Sequence, residues 1–430
     1  MMLLRPRALF LAGAASVCVA AIVAAQRQDA YVSSRDHPAI QYTKAPVDTS
    51  VTRLNRHLEG GRIQLAFEEG SGYLRSLLAQ LGVPIASQQL VFSQGSAQAP
   101  LIKLTNPRAV FFNDTTAVGW VRGADTIEVA AHDPQQGTIF YTIDQKKSER
   151  PVLKRDDTCL QCHLTWDTLG VPGLTVLSTF PMSDDKNAYA SGLTVDHRVD
   201  LNMRWGGWFV TGKSLPTRHM GNLPVVRPEH ELAKPEPLPP PLPSVDGRFD
   251  TAGFLSLHSD VVAGMVLGHQ THMTNHLTRL GWEARVAEPQ IAAGAKPAVD
   301  RLQVAVRDFV DYLLFVDEAL LPRKLEGSSG FAEYFEALGP VDRKGRSLRQ
   351  LELDRRLLRY PCSYMIYSPA FDALPAVALD AVYRRMWTIL SGEETAKPYT
   401  RLSLADRTAI VEILRDTKKN LPSYFQPVMR

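Results

Sequence analysis

The chain has 430 residues, of which 45% are apolar, enough for two or three domains with real cores. Its 48 basic and 45 acidic side chains leave a formal net charge of +3, a near-balance that offers no basis for recruiting nucleic acid or an anionic membrane surface. Four cysteines in this length exclude a disulfide-rich scaffold.

At the start, Arg5 and Arg7 precede an apolar run from Ala8 to Ala25, and Val23-Ala24-Ala25 supplies small residues for cleavage. This layout predicts a secretory signal peptide over residues 1–25 and a periplasmic protein; left uncleaved, the run would act as a membrane anchor. Loss of Arg5 and Arg7 takes the net charge from +3 to +1, and Cys18 leaves with the signal. Cys159, Cys162 and Cys362 remain.

Beyond a polar stretch over 27–50, Leu54, Leu58, Leu65, Leu74, Leu77, Leu78 and Leu81 recur at helical spacing, with Gly60-Gly61 and Gly70-Gly72 as breaks. From Gln89 to Gln145 the texture changes to short β-type runs: Leu90–Phe92, Ala109–Phe112, Ala117–Val121, Thr126–Ala130 and Thr138–Ile143. Turn formers such as Asp133-Pro134-Gln135-Gln136-Gly137 separate them, so an antiparallel sheet is expected. Similar texture returns at Leu174–Leu177 and Trp205–Thr211. Leu223 to Pro243 carries eight prolines and reads as an extended linker. Helices follow over Ser259–Arg285, Ala298–Leu320, Ala376–Leu390 and Leu404–Lys418, the last with Ser403 and Asp406 as a capping pair. The fold class is therefore α+β. A signal peptide (1–25) precedes an antiparallel sheet domain (26–222), a Pro-rich linker (223–250) and a mainly helical domain (251–430).

The most informative residues are Cys159-Leu160-Gln161-Cys162-His163. Two thiols three positions apart can add across the two vinyl groups of one porphyrin, and the following imidazole can bind its iron. Chance alone predicts only ~0.001 such motifs in a chain of this composition. The alternatives are a CxxC disulfide and half of a zinc site. No second CxxC lies nearby to complete the latter. The expected cofactor is one covalently attached haem c, held by Cys159 and Cys162, with His163 as an axial iron ligand. Because bacteria attach such haem outside the cytoplasm, the signal peptide and the motif fit one account.

The sixth iron position has several candidates: Met182, His197, Met203, His219 and Met220, and the helix that follows the linker. On that helix Met265, His269, His272 and His276 fall within about 60° of one another, on the face shared with Val262 and Leu280. Three histidines on a buried stripe need partners, either ordinary hydrogen bonds or the iron, a propionate or a second metal. His269 is the first choice for sixth ligand and His219 the second. Trp166, Trp205, Trp208 and Phe209 are candidates to wall a porphyrin or to form ordinary core. Arg198, Arg204 and Arg218 would pair with propionates or sit in solvent. Cys362, flanked by aromatics, reads as a buried, inert thiol. An antiparallel sheet with the motif at its edge is comparable, at fold level, to a PAS-like haem sensor.

Together the haem motif, Arg204-Trp-Gly-Gly-Trp-Phe-Val-Thr-Gly212, Arg218-His-Met-Gly-Asn222, the His269-Gln270 helix and Tyr360-Pro-Cys-Ser-Tyr-Met-Ile-Tyr-Ser368 resemble a group of large exported bacterial cytochrome c-like proteins. The resemblance implies haem binding and electron transfer over most of the mature chain, and brings no substrate or catalytic residues with it. The leading expectation is a periplasmic single-haem cytochrome that passes one electron at a time to a redox partner protein or a small donor or acceptor. A haem-based gas or redox sensor is the first alternative. The second is a haem oxidoreductase of peroxidase type, using the His219 or His269 region as acid/base.

Overall fold

A computed structural model describes residues 35–179, 192–222 and 242–428. The expected signal peptide, Met182 and most of the Pro-rich linker lie outside the described residues. The chain divides into two compact units, Met1–Pro46 and Val47–Arg430. In the described part of the first, Ile40 N and Gln41 N donate to His37 O at 2.8 and 3.0 Å and close a turn.

In the second unit, α1 (Ser50–Glu59) starts where the Thr49 hydroxyl accepts from Thr52 N at 3.1 Å, satisfying one of the free N–H groups of the first turn. After α2 (Leu74–Leu81) the strands β1 (Gln89–Val91), β2 (Arg108–Phe112), β3 (Thr116–Trp120), β4 (Thr126–Asp133), β5 (Gly137–Asp144) and β6 (Lys154–Arg155) form one antiparallel sheet in chain order. In β4 burial alternates strictly, with Ile127, Val129 and Ala131 on the covered face, as period-2 side chains demand. β5 is buried on both faces over most of its length. Its hydrophobic run reflects that: one face meets the sheet's own core and the other is approached by a helix.

That helix, α4 (Val261–Ala292), organises the unit. Asp260 caps it, accepting from Val262 N at 2.8 Å and Ala263 N at 3.2 Å. Every residue from Val261 to Thr271 is buried, as expected for a helix covered on all sides. One side lies on the sheet region: Thr278 of α4 packs on Gly137 of β5, where φ is +91° and a Cβ would collide with the threonine. The other side packs on α5 (Lys296–Leu313) and touches α8 (Ala376–Ser391). Short helices α6 (Phe331–Ala337) and α7 (Pro369–Asp372) and the last helix, α9 (Leu404–Thr417), complete the α+β layout. The Ser403 hydroxyl caps α9, accepting from Asp406 N at 3.1 Å. Two small elements, β7 (Leu177–Thr179) and β8 (Gly192–Thr194), pair antiparallel beyond the haem motif. Among the described residues no helix is long and apolar enough to cross a membrane.

Three boundaries differ from expectation. Trp205–Thr211 is not a strand, because Trp205 and Gly207 take left-handed backbone (φ 70° and 83°). The segment still borrows the sheet's edge, with Phe209 N donating to Leu90 O at 2.9 Å. The strand expected at Leu174–Leu177 begins only at Leu177. The helix expected to reach Leu320 stops at Leu313, since Phe315 and Asp317 turn left-handed (φ 55° and 63°).

Candidate functional site

Asp156 opens the motif by accepting from Thr158 N at 3.0 Å, and the chain then winds through a 3-10 turn into the single-turn helix α3 (Leu160–His163). Leu160 is the buried anchor of that turn, whereas Cys162 is exposed and Cys159 half-buried. Both thiols are free. Burial, reinforced by the nearby Asp156 and Glu128, pushes the Cys159 thiol up to about 11. It is therefore a protonated thiol at neutral pH. Among the described residues no three His, Cys, Asp or Glu side chains are arranged to hold a metal ion by themselves.

His163 is fixed more tightly than the cysteines. Its ring packs on Phe140 of β5 with centroids 4.9 Å apart, and Nδ1 lies 3.0 Å from the carbonyl oxygen of Gly173. A carbonyl only accepts, so Nδ1 carries the proton. Desolvation, which outweighs the Gly173 hydrogen bond, lowers the imidazole to about 4 and keeps it neutral at pH 7. A neutral ring protonated on Nδ1 bears its lone pair on Nε2, the form that binds a metal. The Gly173 segment closes back on the motif through Gly173 N, which donates to His163 O at 3.0 Å.

Around the motif lie an aromatic and a charged pair. Trp166 is 61% exposed, a large value for an indole, and Leu193 on β8 is 41% exposed. Thr194 Oγ1 donates to Asp167 at 2.6 Å, which brings the strand holding Leu193 up to the turn holding Trp166. On the sheet, Arg108 pairs with Glu128 at 2.5 Å, its guanidinium crossing β3 at Gly119, where any Cβ would collide with it. The fields of both side chains reach Cys159, and that of Arg108 reaches His163.

The other candidates sit elsewhere. His197 and His269 share one proton between Nδ1 atoms 2.9 Å apart, and His269 Nε2 is 2.7 Å from Ser363 Oγ. Both ring nitrogens of His269 are thus engaged. Tyr312 of α5 stands among four imidazoles, with centroids 4.2 Å from His197, 5.3 Å from His269, 4.9 Å from His272 and 5.0 Å from His276. The histidine stripe of α4 therefore faces α5. His219 accepts from Gly221 N through Nδ1 at 3.1 Å and packs against Trp205, so its Nε2 holds the proton. Met220 and Met265 are buried, and Met203 ends a 3-10 turn.

Trp205, Trp208 and Phe209 are core, and Trp208 Nε1 donates to Leu177 O at 2.7 Å. Arg198 lies over the Tyr312 ring at 5.0 Å, and Arg204, lowered to about 10 by burial, donates to the carbonyls of Val199 and His197. Cys362 is fully buried, and desolvation takes its thiol to about 12.

Phe140, Gly173 and Arg108 escaped the sequence reading. Pro172-Gly173 ten residues after His163 was the one available hint.

No protein-family model, curated protein or solved structure matches this chain.

Proposed function

We propose that this protein is an exported single-haem c-type cytochrome that moves one electron at a time between redox partners. Cys159 and Cys162 would hold the haem through two thioether bonds, and His163 would bind its iron through Nε2. The observation that carries the proposal is the His163 imidazole: neutral, protonated on Nδ1 and anchored to the Gly173 carbonyl, beside two free thiols on adjoining turns. A disulfide has no need of that orientation, and a zinc site would need further ligands beside these three. When bound, the haem supplies a ferric/ferrous couple. The chain's own part is to hold the ring nitrogen still, with Phe140 covering one side of the imidazole and Gly173 fixing its rotation. Trp166 and Leu193 give an apolar approach to the motif, and the haem-carrying domain is then the six-stranded sheet with its following turns. The PAS-like comparison rests on the antiparallel sheet alone. Periplasmic residence is part of the same proposal, because the attachment chemistry needs export.

One observation favours a second reading, a haem-based sensor with an exchangeable sixth position. His269 has both ring nitrogens engaged, and His219 spends its lone pair on Gly221 N. Visible spectra of the purified protein, oxidised and dithionite-reduced, with and without CO, separate the two. The cytochrome reading predicts sharp reduced bands that CO barely changes. A large CO shift favours the sensor or an oxidoreductase, and a colourless protein from a maturation-competent host refutes all three.

A further inference from the structure

We propose that Asn275, on α4, is the positioning residue for the iron-binding imidazole, an inference that rests on the haem reading above and deepens it. The segment from Leu169 to Leu174 carries the carbonyl that orients His163. It is held by α4 at two points one turn apart. Asn275 Nδ2 donates to Leu174 O at 2.8 Å, and Arg279 Nη1 donates to Leu169 O at 2.9 Å. Between the two lies Gly173, which approaches so closely that a Cβ there would collide with Asn275 Oδ1. Asn275 is fully buried, and Oδ1 has no hydrogen-bond partner, so its placement is set by packing on the Gly173 backbone.

Asn275 fixes Leu174 and crowds Gly173; Gly173 O holds His163 Nδ1 at 3.0 Å; and a hydrogen bond accepted from that N–H increases the donor strength of Nε2. A more basic ligand favours ferric over ferrous iron, so Asn275 lowers the midpoint potential without touching the haem. The histidines around Tyr312 lie about a quarter-turn around α4 from Asn275. The same helix thus joins the helical layer to the fifth ligand.

The test measures covalent haem by pyridine haemochrome and then the midpoint potential, in the full-length wild type and in Asn275→Ala, Gly173→Ala and Leu280→Ala. Leu280 is a buried α4 residue that serves as a packing control. Both Asn275→Ala and Gly173→Ala should raise the potential, by the equivalent of about tenfold in the ferric/ferrous ratio. Leu280→Ala should destabilise the fold and leave the potential in place. If Asn275→Ala does not accumulate, Asn275→Leu nearly keeps the side chain's size while removing the donor to Leu174 O, and reads the same loss. A wild-type potential in the Asn275 variant, or an equal shift in Leu280→Ala, overturns this inference alone. A wild type without covalent haem fails at the first measurement and takes the proposed function down with it.

Discussion

Replacing His269 with Gln should flatten the protein's dependence of stability on pH. His269 and His197 are 0% and 2% exposed and joined by a hydrogen bond between their Nδ1 atoms, so charging either ring buries a cation beside the other. Desolvation, helped at His269 by the fields of His272 and Arg198 and at His197 by those of His269 and Arg198, lowers His269 to about 3 and holds His197 well below the ordinary range. Arg204 and His272 add to that field at His197, while Asp196 faces His272 at 3.8 Å.

A histidine whose folded pKa is depressed leaves stability intact above about pH 6.5. Below that the unfolded chain takes up protons that the folded chain refuses, and stability falls by ~1.4 kcal/mol per pH unit per group. Between pH 6.5 and 4.5 the pair therefore costs about 5 kcal/mol, comparable with the low end of a domain's whole stability. Urea unfolding followed by circular dichroism at half-unit pH steps gives the slope directly. His269→Gln should lower it by ~1.4 kcal/mol per pH unit over that window, whatever its effect at pH 7. An unchanged slope would mean that His269 titrates normally in the folded protein, and the buried-pair account would be refuted.

Other consequences are equally open to measurement. Asp260 accepts from the N–H groups of Val262, Ala263, Ser328 and Ser329, so Asp260→Ala should cost about 3–5 kcal/mol in thermal or urea unfolding, with Asp260→Asn recovering part of it. Glu318 is buried and raised to about 7 by desolvation, which outweighs its bond from Leu357 N and the fields of Arg356 and Arg204. A raised acid penalises the folded state as pH climbs from the unfolded value through 7, so Glu318→Gln should gain on wild type across that range, by about 3 kcal/mol at pH 8. The same difference between variant and wild type at pH 5 and at pH 8 would contradict it. Cys162→Ser removes the exposed thiol alone, and intact-mass analysis should find either a haem held by the single bond to Cys159 or an apo chain, but never the doubly attached product.

Much of the fold could be read locally. β4 alternates residue by residue and α1, α4, α8 and α9 have marked stops or caps, signals that lie within a few positions of one another. The stripe of His269, His272 and His276 was equally visible as a face. Which layer would cover it was not, because periodicity gives a direction around the helix and no partner: the stripe meets Tyr312 of α5, whereas the motif side of α4 is marked by Asn275. Asn275 reaches a carbonyl 101 residues away, and a lone asparagine in a helix carries no local mark of such a bond. Trp205–Thr211 misled for the opposite reason. Its aromatic, β-branched composition suits the sheet edge it lies on, but left-handed backbone at Trp205 and Gly207 breaks the strand.

The central claim is a covalent bond, and it is best tested with the protein unfolded. The chain should be made in a host with haem-maturation machinery, stripped of loose haem with acid–acetone, and digested for mass spectrometry. The account predicts one haem retained on the peptide containing Cys159 and Cys162, and its loss when both are changed to Ala. A peptide of unmodified mass, with both thiols open to alkylation, would contradict it.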